Sequence, residues 1–113
     1  MLTKKSQSKE IKNSVDCTVW EYKIPSKLFS FATTKINGRY PNKSSVTNTN
    51  CEEIYYVISG SGTVHSERGD FKLTKGDLYF FEKGETYWVA GKNLFLVLVN
   101  APPWFPEQHK TVI

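Results

Sequence analysis

Few residues in this chain of 113 can do chemistry, and most of those that can carry oxygen. Thr47, Thr49, Glu53, Tyr55 and Val57 occupy odd positions, with Cys51 among them, so an unbulged extended strand places them on one face. One acid beside hydroxyls and a phenol suits hydrogen bonding to a small polar molecule, such as a sugar or hydroxy acid. A buried Glu53 with a raised pKa could also give or take a proton. The two histidines, His65 and His109, stand apart, the first in a strand-like run and the second in the C-terminal tail. Cys17 and Cys51 fit no zinc spacing. No nucleotide-binding glycine loop or nucleophile elbow is present.

The elements that must position these residues are strands. Seven Phe, six Tyr and three Trp against a single Met favour sheet over helix. Short β-rich runs alternate with turn signals: Cys17 to Tyr22, Leu28 to Ile36, Glu53 to Ile58, Thr63 to Glu67, Phe71 to Leu73, Leu78 to Phe81, Thr86 to Ala90 and Leu94 to Val99. Asn37-Gly38, Ser59-Gly60-Ser61-Gly62, Arg68-Gly69-Asp70, Lys75-Gly76-Asp77, Lys83-Gly84-Glu85 and Gly91-Lys92 are read as turns between them. With a short strand at the end of the polar stretch 41–50, the reading is about nine strands and no amphipathic helix. That pattern means a β-sandwich or a barrel.

The length implies one domain with one core. The formal charge of +4 is concentrated at the start, where Lys4, Lys5, Lys9 and Lys12 face only Glu10. Residues 1–14 are therefore read as a basic, flexible tail. No apolar stretch follows its lysines, and no run approaches the length of a membrane span. Two cysteines in a chain able to build a core suggest a reduced, cytoplasmic protein. The expected organisation is tail 1–14, barrel 15–100, and an extended segment 101–113 packing on the barrel. There, Pro102, Pro103 and Pro106 oppose strand continuation, while Trp104 and Phe105 act as packing anchors or, in a second reading, as a lid or one wall of the ligand mouth.

Two segments resemble the paired motifs of the cupins. Glu53-Ile54-Tyr55-Tyr56-Val57-Ile58-Ser59-Gly60 matches the end of the first motif, and Gly62-Thr63-Val64 continues it. Gly76 to Tyr87 follows the spacing of the second. The resemblance implies an all-β, single cupin-type double-stranded β-helix, or jelly-roll barrel. It also implies that Glu53 points into the barrel with Tyr87 across from it. Cupins hold a metal with two histidines and the glutamate of the first motif and a histidine of the second. By spacing, Thr47 and Thr49 stand at the first two histidine positions, or Val46 and Asn48 if the loop is one residue longer. Tyr87 stands at the third, and Glu82 replaces a motif proline. Hydroxyls are poor ligands for iron, zinc, nickel or copper. The expectation is therefore a degenerate metal site, with no metal and no cofactor.

The functional expectation is binding of a small polar molecule by Thr47, Thr49, Glu53, Tyr55 and Tyr87. One alternative is an enzyme using Glu53 and Tyr87 as proton carriers, either metal-free or weakly metal-dependent. A second is a structural or interaction barrel with a filled interior. The expected partners are the small molecule and a second copy in a homodimer, with no nucleic acid and no membrane.

Overall fold

The computed structural model describes all 113 residues, Met1 to Ile113. It is nearly all β, as expected. Nine strands run in chain order: β1 (Lys9–Ser14), β2 (Cys17–Tyr22), β3 (Ser30–Tyr40), β4 (Ser45–Asn48), β5 (Glu52–Ser66), β6 (Gly69–Leu73), β7 (Leu78–Phe81), β8 (Tyr87–Ala101) and β9 (His109–Val112). Two short 3-10 turns, Lys5–Gln7 and Pro106–Gln108, precede β1 and β9. No helix is long and apolar enough to cross a membrane.

The long strand β8 organises the sheet. It pairs antiparallel with β3, with β5 and, at Tyr87, with Val46 of β4. From β3 the sheet continues to β2 and β1, and from β4 to β9, while β5 also carries β6 and β7. Alternation sends Cys17, Val19, Ala32, Ile36, Tyr55, Val57, Leu94 and Leu96 into one core. The strands curl around that core into a barrel.

Three of the expected turns are bends within strands. Asn37-Gly38 lies inside β3, Ser59–Gly62 inside β5, and Gly91-Lys92 inside β8. The pairing register shifts between Ile36 and Gly38, and again between Val57 and Ser61. Gly60 shows why glycine is needed: φ is +77°, and a Cβ there would sit 1.9 Å from the Asn93 carbonyl oxygen. A glycine bulge turns the corner of a closing sheet without ending the strand.

Both ends of the chain differ from their sequence reading. Residues 9–14 are not a free tail but strand β1, paired antiparallel along β2. Its signal is weak because Ile11 is its only apolar residue. The backbone ladder holds it, helped by the Trp20 Nε1 hydrogen bond to Glu10 (2.8 Å) and by Lys5 over the Trp20 ring. Residues 109–112 are likewise more than an extended strap. They form β9, pairing Asn48 with His109 and Ser45 with Val112.

Candidate functional site

The barrel is open at one end. A cavity of about 700 Å³ is lined by residues of β1, β2 and β3, Tyr40 among them, together with Tyr55, Tyr87 and His109. Glu53 forms part of its floor. Its side chain is inward because Glu53, Tyr55 and Val57 alternate with outward residues along β5, and all three are buried.

Two amides hold one oxygen of Glu53. Oε1 accepts from Asn48 Nδ2 at 2.7 Å and from Asn100 Nδ2 at 2.8 Å. Oε2 has no protein hydrogen bond, and it is not among the buried polar atoms that lack a partner, so it touches the cavity. No cation contacts the carboxyl, and burial pushes its pKa from the ordinary 4.5 up to about 7, although the two amides oppose the rise. Near neutral pH this acid is poised between its two forms.

Asn48 is the pivot of the site. Its Oδ1 accepts from Trp104 Nε1 (3.2 Å), Gln108 Nε2 (3.0 Å) and His109 Nδ1 (2.7 Å). An indole nitrogen can only donate, which fixes the amide orientation and makes Nδ1 of His109 the protonated nitrogen. The other ring nitrogen, Nε2, is then free to accept from the Tyr40 hydroxyl at 2.8 Å, with the two rings stacked. Burial lowers the His109 pKa and so favours this neutral form. One asparagine thus joins an acid and a base on the cavity wall.

The other candidates sort cleanly. Tyr55 and Tyr87 are buried and line the cavity, their phenols kept protonated first by burial and then by the negative charge of Glu53. Thr47 and Thr49 do not line it. Thr47 is buried on the opposite face with its hydroxyl unpartnered, and Thr49 is exposed and donates to the Gln108 carbonyl. The loop carries the extra residue, so Val46 and Asn48 take the inward positions and Asn48, not Thr47, meets Glu53. Cys17 lines the wall, and burial raises its thiol pKa to about 11, which holds it in the protonated form.

The sequence reading did not name Tyr40, Asn100 or His109 as site residues, and nothing local marks them. Its alternative register put Asn48 at the site, and its second reading of the C-terminal segment put Trp104 at the ligand mouth, where it lines the cavity.

The residues do not fit the cupin metal. The four positions hold Val46, Asn48, Glu53 and Tyr87, and no three His, Cys, Asp or Glu side chains converge anywhere in the molecule. His109 is near, but Nδ1 is committed to Asn48 and Nε2 to Tyr40.

Residues 34–98 match the family model described as the AraC-like ligand-binding domain. The chain belongs to that cupin-type family. As an AraC-like domain it shares its fold with solved proteins of low identity. Pac13 of Streptomyces, solved with uridine, superposes with a TM-score of 0.89 at 16% identity, covering 99% of this chain and 89% of Pac13. Another Pac13 structure describes that protein as a unique nucleoside dehydratase. KdgF from Halomonas sp. gives 0.76 at 11% identity, over 90% of this chain and 94% of its own. Ectoine synthase from P. lautus gives 0.74 at 18% identity, over 92% and 80%. At such identities the likeness shows the fold alone. A search of curated proteins returns no match.

Proposed function

We propose that this AraC-like domain binds a small hydroxylated molecule, of sugar to nucleoside size, in its open barrel without a metal. The observation that carries this reading is Glu53, whose Oε2 faces a cavity of about 700 Å³ while Oε1 is held by two amides. A filled structural barrel would satisfy both oxygens with protein donors. A ligand hydroxyl is the natural partner for the open one. Phenols from Tyr40, Tyr55 and Tyr87 supply further polar contacts, and Phe31 and Trp104 offer flat apolar surface. Uridine bound in the similarly folded Pac13 supports the size class.

Titration calorimetry with uridine, ribose, glucose and small hydroxy acids tests this reading. At least one compound is expected to bind saturably, change Trp104 fluorescence, and lose affinity in Glu53→Gln. No binding across the panel would overturn it.

A second reading, acid–base catalysis, is favoured by one observation. Glu53 stands near neutrality and shares Asn48 with a neutral, oriented His109 that is backed by Tyr40. Here His109, rather than Tyr87, is the partner of Glu53. Turnover of a bound ligand that disappears in both Glu53→Gln and His109→Gln would establish it.

A further inference from the structure

The β1–β2 side of the cavity carries charges that form no ion pair. Alternation points Lys9, Ile11 and Asn13 of β1, and Cys17, Val19 and Glu21 of β2, toward the cavity, and all six line it. Ile11, Val19 and Cys17 are what a packed interior requires. Lys9 and Glu21 are not, and they are direct partners across the β1–β2 ladder. They nevertheless form no ion pair, since the salt bridges of the molecule are confined to His65–Asp70 and Arg68 with Glu82 and Glu85. Lys23, at the end of the same wall, also lines the cavity and is equally unpaired.

Of the charges near this wall that do not line the cavity, two are engaged by the Trp20 ring. Glu10 accepts from the Trp20 indole, and Lys5 lies over that ring at 5.1 Å. Lys12, the remaining outward charge of β1, has no ion-pair partner either, so what sets Lys9, Glu21 and Lys23 apart is that they line the cavity. Lys9 and Lys23, both exposed, outnumber Glu21 on that wall, whereas the acid Glu53 is buried within the lining of the same cavity.

We propose that Lys9 and Lys23 form an anion-recognising rim, so that the ligand is a hydroxylated molecule carrying a carboxylate or phosphate, with its hydroxyl end on Glu53. A charged group placed against Glu53 would meet a like charge above neutral pH, whereas at the rim it meets two ammonium groups. This polarity sets the orientation of the ligand: acidic group at the mouth, hydroxyls on the floor. The inference rests on the cavity being a ligand site.

Calorimetry on the full-length protein with two matched pairs tests it. Uridine against uridine 5′-monophosphate reads a phosphate, and glucose against glucuronate reads a carboxylate. In at least one pair, the acidic member is expected to bind about tenfold or more tighter at low salt. The advantage should shrink toward about 0.15 M salt, because a rim charge is screened. Lys9→Gln with Lys23→Gln should abolish the advantage, bringing the acidic member's affinity down to that of the neutral one. Glu21→Gln should enlarge it, a gain that damage to the fold would not produce.

Neutral and acidic members binding within about twofold of each other, or an advantage that survives the double lysine variant, would overturn the rim but leave the cavity reading standing. If no member of either pair binds, the cavity reading and the rim fall together.

Discussion

Glu53 and Glu85 are buried to nearly the same degree, 4% and 3% exposed, yet their surroundings treat them in opposite ways. Glu85 follows the Lys83-Gly84 turn before β8, and both of its oxygens are used. Oε2 accepts from Ser66 Oγ (2.6 Å) and the Tyr79 hydroxyl (2.5 Å), and Oε1 accepts from the Glu82 backbone amide (2.9 Å), with Arg68 Nε at 3.8 Å. Glu53 has two donors on one oxygen, none on the other, and no cation. A buried carboxylate surrounded by donors ties a loop to a sheet. One left half-open to a cavity keeps its capacity for something not in the chain. Burial alone does not mark the site; unspent hydrogen-bonding capacity does.

The sharpest test of that contrast is Glu85→Ala. It strands a hydroxyl, a phenol and a backbone amide, and should cost about 4 kcal/mol in urea unfolding with an unchanged slope. Ligand affinity of the folded fraction should be untouched. If binding is lost while stability holds, the two carboxylates have been assigned the wrong way round.

The next effect is pH dependence at Glu53. The folded state holds this proton up to about pH 7, whereas the unfolded chain releases it near 4.5. The folded state therefore binds more protons in that window, so stability is complete below it, falls as pH rises through it, and levels off above. The loss is on the order of 3 kcal/mol. Urea melts at pH 5 and pH 8 should show this drop in the wild type and not in Glu53→Gln. An equal drop in both would mean that Glu53 is solvated after all.

Smaller still is Asn48→Ala, expected to cost about 2 kcal/mol by leaving the donors of Trp104, Gln108 and His109 without their acceptor. Imidazole nitrogen NMR should show His109 losing its single Nδ1-protonated form. A spectrum unchanged from wild type would remove Asn48 as the link between acid and base.

The smallest effect belongs to Thr47. Its buried hydroxyl has no partner, so Thr47→Val should be neutral or stabilising by up to about 1 kcal/mol, with unchanged ligand affinity. A weakened ligand would place Thr47 back at the site.

The legibility of the site tracks how local its information is. Tyr55 and Val57 could be placed inward with Glu53 because two-residue alternation holds along an unbroken stretch of β5. The alternation failed for Thr47 and Thr49, because the loop at Asn50 and Cys51 resets the face between β4 and β5. His109 was unreadable for a different reason. It acts only through Asn48, 61 residues earlier, and Tyr40, 69 residues earlier. Its strand β9 is four residues with no apolar alternation, recruited by the free edge of β4.

What the sequence by itself determined is the class of the barrel and the absence of histidines from the cupin ligand positions. Strand composition, glycine spacing and residue identity are local properties, and they survive translation into any correct fold. What only the tertiary structure decided is which polar groups are left unspent. Asn37-Gly38, Ser59–Gly62 and Gly91 became bulges rather than turns because long strands had to curl to close the barrel. That closure brought a C-terminal histidine to Asn48, set Lys9 and Glu21 on the cavity wall, and left Glu53 Oε2 without a protein partner. Whether a hydrogen bond is satisfied depends on every neighbour in space at once, and no run of residues carries that information.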